Sequence, residues 1–287
     1  NFKKRKKNFK KEKSVNSNMA VEGIHDSNVY IGKDVIKKLN SIQNVSFSQN
    51  VQEEPSITVG KGEGPTIITQ PTQITASIDK ILNGEDFIRT LTGTSSLSGQ
   101  FEYGDNLLDF DGACMENFSV SASVGQLPQA SFDFIIYGSI SGSSVSISSS
   151  ADNEIKEIPT EGLIATFDTA NKPQTNSIQS FTYSEIFTKE VIYGIGNNRA
   201  ADIKFISPIR QEASIAIEIE DYSPEETFSF LNGSKDRNRS IKLEISGDGS
   251  ILNSYELENA YLVNESVTLG VGNTATANLL YRGYKKV

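Results

Sequence analysis

Apolar and polar positions alternate with a period of two through much of this chain. Val45, Phe47 and Val51 fall on one side of an extended segment, and Ser46, Ser48 and Gln52 fall on the other. Phe181, Tyr183 and Phe187 oppose Thr182, Ser184 and Thr188 in the same way. Ile215, Ile217 and Ile219 alternate with Ser214, Ala216, Glu218 and Glu220, and Ile241, Leu243 and Ile245 with Lys242, Glu244 and Ser246. Successive strand side chains point to opposite faces, so each segment predicts a strand with one buried and one wetted face, as in antiparallel sandwiches and barrels. Helical spacing is confined to two places. One is Ile78 to Thr90; the other is Ser223 to Leu231, with Ser223 as N-cap, Pro224 in the first turn and Gly233 beyond the end. Gly247-Asp248-Gly249 reads as a hairpin turn. The expected fold class is mainly β.

The strand pattern repeats. Ser41-Ile42-Gln43-Asn44-Val45-Ser46-Phe47-Ser48 returns as Ser177-Ile178-Gln179-Ser180-Phe181-Thr182-Tyr183-Ser184, an offset of 177 − 41 = 136 that holds without a gap to Gly60 and Gly196. After one inserted residue, Pro71, Ala76, Ser77 and Ile78 match Pro208, Ala213, Ser214 and Ile215. Leu97 to Gly104 resembles Ser240 to Gly247 more weakly, and Val124-Gly125 resembles Val271-Gly272. Similar elements recurring in the same order are the signature of an internal repeat. The expected organisation is an arm over residues 1–20, one copy of a small antiparallel β barrel or sandwich over 21–150 and a second over 151–287, each with a short flanking helix. The Ser-rich stretch from Ser139 to Ser150 between them reads as a linker or flexible hairpin.

Length and composition fit that organisation: 287 residues can bury two ordinary cores, and no apolar run approaches membrane-spanning length. No apolar signal-peptide core follows Asn1. The lone Cys114 has no partner for an internal disulfide and reads as a buried, inert thiol compatible with assembly in a reducing cytoplasm. Charge changes the picture more. Lys3, Lys4, Arg5, Lys6, Lys7, Lys10, Lys11 and Lys13 crowd the start against Glu12 alone. The remainder therefore carries 27 − 8 = 19 bases and 36 − 1 = 35 acids, a formal charge of −16. Such a body repels nucleic acid, while the basic arm suits docking on an acidic neighbour or, alternatively, a nucleic acid.

Catalytic chemistry finds little to work with. His25 is the only histidine and lies in the polar stretch Gly23-Ile24-His25-Asp26-Ser27 without a nucleophile elbow or oxyanion motif nearby. One His and one Cys exclude a Cys/His metal cluster. Asp105, Asp109 and Asp111 before Gly112 miss the spacing of a calcium loop. Gly60-Lys61-Gly62-Glu63-Gly64 lacks the Lys-Ser/Thr pair of a phosphate loop and places Glu63 against the anion. No enzyme activity, cofactor or metal is expected.

Ile178-Gln179-Ser180-Phe181-Thr182-Tyr183-Ser184, followed by Lys189-Glu190-Val191-Ile192-Tyr193-Gly194-Ile195-Gly196, resembles a segment common in bacteriophage tail tube and related virion structural proteins. In that family an aromatic-alternating strand leads through a charged step and a Tyr-x-x-Gly corner to a loop and a second strand with Ile/Ala alternation. The match runs from Ala165 to Asp221; the first copy keeps Glu54 and Gly60 but has Ile57 and Thr58 in place of the Tyr193-Gly194 corner.

The resemblance implies a β-barrel or sandwich domain with a flanking helix, whose inner sheets join edge to edge into a ring around a DNA-conducting channel. The duplication then suggests that one chain fills two adjacent positions of a trimeric, pseudo-hexameric ring. The implied partners are the chain itself, other tail or baseplate proteins, and DNA passing without specific binding, in a virion assembled in the host cytoplasm and without a membrane. Glu218, Glu220 and Glu244, with Asp79 and Glu102 in the first copy, are the expected lumen-facing residues, and Lys3, Lys4, Arg5, Lys6 and Lys7 the expected arm contacts. A baseplate hub or distal-tail adaptor is the alternative. A secreted carbohydrate-binding or adhesion module stands further off, since no Trp is present for sugar stacking.

Overall fold

The computed structural model describes residues 27–50, 53–56, 66–69, 73–82, 87–94, 96–104, 106–141, 162–167, 178–194, 200–219, 239–247, 250–268 and 275–286. In chain order the first strands are β1 (Ser27–Gly32), β2 (Lys37–Leu39), β3 (Ile42–Asn50), β4 (Glu53–Ser56), β5 (Thr66–Thr69), β6 (Gln73–Ile81), β7 (Leu97–Tyr103), β8 (Asn106–Ser123), β9 (Gln129–Ile136) and β10 (Ile140–Ser141). They continue as β11 (Leu163–Phe167), β12 (Ile178–Ile186), β13 (Lys189–Tyr193), β14 (Ala200–Phe205), β15 (Ile209–Ile219), β16 (Arg239–Gly247), β17 (Ser250–Thr268) and β18 (Ala275–Lys285). The protein is mainly β and the strand pairings are antiparallel. Among the described residues the only helical element is a 3₁₀ turn at Phe87–Leu91, and no helix is long and apolar enough to cross a membrane.

A run of eight neighbouring strands organises the molecule, in the order β3-β6-β9-β8-β12-β15-β18-β17. Two long strands carry it. The N-terminal part of β8 pairs with β7 and the C-terminal part with β9 and β12; likewise β17 pairs first with β16 and then with β18. Strands β1 and β2 extend the β7 side, and β11 extends the β16 side. Two hairpins, β4–β5 and β13–β14, stand as separate two-stranded sheets.

The ladders recur in register. Val45 faces Ile78 and Phe47 faces Ala76, as Phe181 faces Ile215 and Tyr183 faces Ala213, with an irregularity after Ile42 in one pairing and after Ile178 in the other. Phe118 faces Phe132 and Val120 faces Ala130, as Glu265 faces Leu279 and Val267 faces Ala277, and both ladders shift by one residue, after Met115 and after Leu262. Val29 pairs with Phe101, and Ala165 with Leu243. Leu97 faces Ala113 where Arg239 faces Ala260, so these ladders put Leu97 level with Arg239, one residue from the alignment drawn on sequence. Gly112 and Asn259 sit at the corresponding interruptions with φ of 61° and 50°, a left-handed conformation that Gly and Asn accept more readily than other residues.

The alternation read from sequence places the core. Ile78, Phe118, Phe132, Phe181, Tyr183, Ile215, Leu243, Tyr255 and Tyr281 are all essentially inaccessible to solvent and belong to one hydrophobic cluster that spans both halves of the chain. A smaller cluster of Cys114, Ile135 and Tyr137 lies under Val191, Ala200, Ile203 and Phe205 of the β13–β14 hairpin. There Lys189 pairs with Glu116 at 3.2 Å, and its ammonium lies 5.5 Å from the Tyr137 ring centre. Burial raises the Cys114 thiol pKa.

Several local expectations need revision or fall outside the described residues. The helix expected over Ile78 to Thr90 does not form, because residues up to Ile81 complete β6 and the 3₁₀ turn begins at Phe87. Pairing of β6 with β3 on one side and β9 on the other satisfies its backbone across two ladders, and this tertiary gain overrides the local spacing. Within the expected linker, Ile140 and Ser141 instead pair with Phe110 and Asp109; the rest of that stretch and the helix expected at Ser223 to Leu231 lie outside the described residues. The basic arm, His25 and the Gly60 to Gly64 loop also lie outside them.

Candidate functional site

The eight-stranded run buries one face; the other is polar except where Cys114 and Ile135 lie under the β13–β14 hairpin. A single row across its width reads Asn44, Asp79, Ser131, Ser119, Ser184, Glu212, Arg282 and Tyr261, each residue directly opposite the next. The neighbouring row on the opposite face reads Val45, Ile78, Phe132, Phe118, Glu185, Gln211 and Gly283. Ile78, Phe132 and Phe118 belong to the core cluster, and Val45 packs against it. The polar face follows from the pleat: Ser119, Ser121 and Ser123 alternate with Phe118, Val120 and Ala122 along β8, and Ser180, Thr182 and Ser184 alternate with Phe181 and Tyr183 along β12.

This polar face carries Asp79, Asp133, Glu212 and Glu218 against Arg210 and Arg282. Asp79 accepts a hydrogen bond from the Asn44 amide at 3.2 Å, and Glu218 accepts one from Gln179 at 2.6 Å. Arg210 and Arg282, both on this face, converge on Glu212 at 2.5 and 2.7 Å. Burial acts to raise the Glu212 pKa, but hydrogen bonds and charge from the two guanidiniums outweigh it and hold the carboxyl below its ordinary value. A shallow hollow of about 240 Å³ opens beside Asn44, Asp79, Ser119 and Ser131. Its lining combines the hydroxyls and amides of Ser119, Ser131, Gln43 and Asn44 with the Asp79 carboxylate and Lys80.

Where the two halves meet, β12 lies along β8, and on the core side a buried polar network ties β12 to β15 and β17 of its own half. The Tyr183 hydroxyl donates to Glu185 at 2.5 Å, and Gln211 donates to the Tyr183 oxygen at 2.8 Å and to the Glu256 carbonyl at 3.1 Å. The Glu258 amide donates to Gln211 Oε1 at 3.0 Å. Burial, then the adjacent Glu185 carboxylate, pushes the Tyr183 hydroxyl pKa far above the ordinary tyrosine value. Arg89, on the 3₁₀ turn of the first half, hydrogen-bonds the Ser254 carbonyl of the second and lies 5.1 Å from the Tyr255 ring centre.

The five carboxylates singled out from sequence separate. Asp79 and Glu218 lie on the polar face of the eight-stranded run. Glu102 and Glu244 occupy matching ladder positions, opposite Asn28 and Ile164, on the flanking strands β7 and β16. Glu102 accepts from Asn28 and Tyr30 at 3.0 and 3.1 Å, while Glu244 is buried and pairs with Lys242 at 2.6 Å. Glu220 and the five basic arm residues lie outside the described residues. Sequence reasoning missed the Arg210–Glu212–Arg282 cluster and the Tyr183–Glu185–Gln211 network. A polar residue at an inward position, such as Glu185 between Ile178, Phe181 and Tyr183 on one side and Phe187 on the other, was the available signal. No protein-family model matches the chain, and no curated protein is significantly similar to it.

Proposed function

We propose that this chain is a structural subunit of a bacteriophage tail tube, built from two copies of one β domain, that assembles into stacked rings around a channel through which DNA passes. The observation that carries this reading is the eight-stranded run. One half contributes β3-β6-β9-β8, the other contributes β12-β15-β18-β17, and they join edge to edge at β8 and β12. Matching ladder registers and matching interruptions in the two halves support their common origin. In this reading three chains complete a pseudo-hexameric ring, and the Ser/Thr-rich face lines the lumen. Small hydroxyls and amides present a wetted wall; the two arginines on it share Glu212, which offsets one of their two charges, and Asp79 and Glu218 on the same face outweigh the other, so phosphate finds little net positive charge to hold it.

Negative-stain microscopy of the purified protein tests the proposal. Annular particles or tubes with a central channel are expected, with many stacked rings for a tube and a single ring for a baseplate hub. A protein that stays monomeric across the accessible concentration range would refute it.

A further inference from the structure

The junction inside the chain is a template for a junction between chains. At that junction Phe181 faces Ala122, Tyr183 faces Val120, Ser184 faces Ser119 and Ile186 faces Asn117. Both participants have register counterparts at the far ends of the eight-stranded run. Strand β3 sits against β6 as β12 sits against β15, displaced by 178 − 42 = 136 residues. Residues 264–268 of β17 sit against β18 as residues 117–121 of β8 sit against β9, displaced by 264 − 117 = 147 residues. Among the described residues, β3 has only β6 as a ladder partner, and residues 264–268 have only β18.

Side-chain exposure independently marks the same edge. Tyr183 and Phe181 are 0% and 2% exposed at the internal junction, whereas Phe47, at the ladder position matching Tyr183, is 42% exposed although its ring packs edge-on against Phe101. An aromatic on an edge strand invites pairing with another strand. The second participant belongs to the same chain type, since every copy carries both edges. The edges differ from each other, so the contact is heterologous and continues from copy to copy until rotation closes it.

We propose that the β3 edge of one chain pairs antiparallel with residues 264–268 of a second copy, with Ser46 opposite Thr268, Phe47 opposite Val267 and Ser48 opposite Ser266. The pairing transfers the internal register of Thr182 with Ser121, Tyr183 with Val120 and Ser184 with Ser119. It rests on the tube reading and deepens it, because it names the two edges and their alignment.

Cysteine cross-linking of the full chain tests it. Mixed Ser48→Cys and Ser266→Cys single variants are expected to form an interchain disulfide under mild oxidation at least tenfold faster than mixed Asn44→Cys and Ser266→Cys. The latter pair is four residues out of register, roughly 13 Å along the strand, beyond the reach of a disulfide. A Ser119→Cys/Ser184→Cys double variant is expected to close within one chain and checks the template itself. Phe47→Glu, at a site already partly exposed in the single chain, is expected to leave the circular dichroism spectrum unchanged while weakening assembly at least tenfold. Rings that form without preferential 48–266 cross-linking would overturn the edge assignment and leave the tube reading standing. A chain that neither assembles nor cross-links would overturn both.

Discussion

Replacing Phe118 with Ala tests whether the two halves share one core. Phe118 is 0% exposed on β8, opposite Phe132 of its own half and opposite Glu185 of the other, with the Tyr255 ring centre 6.3 Å away. Removing the ring forfeits the roughly 1.5–3 kcal/mol contributed by burying a large apolar side chain. The surrounding β ladders restrict collapse into the space left behind, so the cavity raises the total to about 3–5 kcal/mol. For a chain of this size that corresponds to a fall in Tm on the order of 10 °C. Because one hydrophobic cluster spans both halves and β8 pairs directly with β12, wild type and variant are both expected to unfold in a single transition. Calorimetry together with urea denaturation followed by near-ultraviolet circular dichroism provides the assay. A loss below about 1 kcal/mol would contradict the packing argument. A variant in which one transition shifts while another stays in place would show that the halves unfold independently.

Acid should weaken the Arg210–Glu212–Arg282 cluster: the Glu212 pKa is depressed in the folded state, so its contribution is present above the unfolded glutamate value of about 4.3 and lost as the pH falls through the folded value. The stability of Glu212→Gln should depend less steeply on pH in that acid range, and superimposable urea-derived profiles for variant and wild type would contradict this. Gly99→Ala should destabilise by about 1–3 kcal/mol in urea titrations, because an added Cβ would meet the Tyr30 carbonyl and the Phe110 ring, and an unchanged midpoint would count against that close approach. If the proposed tube reading holds, Asp79→Lys combined with Glu218→Lys should preserve assembly but slow DNA ejection, with a delay that shrinks as salt rises, and unchanged ejection rates would argue against a lumen position.

The period-two pattern identified β3, β12 and β15 of the eight-stranded run and β16 beside it. Alternation of large apolar with small polar residues, as in Phe181-Thr182-Tyr183-Ser184, specifies an extended segment and its buried face together, and the structure buries Phe181 and Tyr183 accordingly. Recurrence of the Ser-Ile-Gln segment likewise pointed to segments that the structure gives the same ladder register. Local spacing misread Ile78 to Thr90, because strand pairing on both sides of β6 outweighs helical periodicity when neighbouring strands supply the partners.

Which strand sits beside which was a matter for tertiary structure. No local signal pairs β12 with β8, since strands with equivalent patterns can satisfy one another's backbone groups in many combinations, and sequence constrains faces more tightly than neighbours. The same limit explains the separation of the carboxylates. Glu218 and Glu244 both stand in alternating segments, yet β15 lies within the eight-stranded run and β16 lies beyond it, leaving one acid on the polar face and burying the other beside Lys242. Sequence by itself determined that these strands have two unlike faces. Only long-range pairing, whose free energy is gained after distant segments meet, decided which faces join into one surface and which strands stand at the two ends of the eight-stranded run.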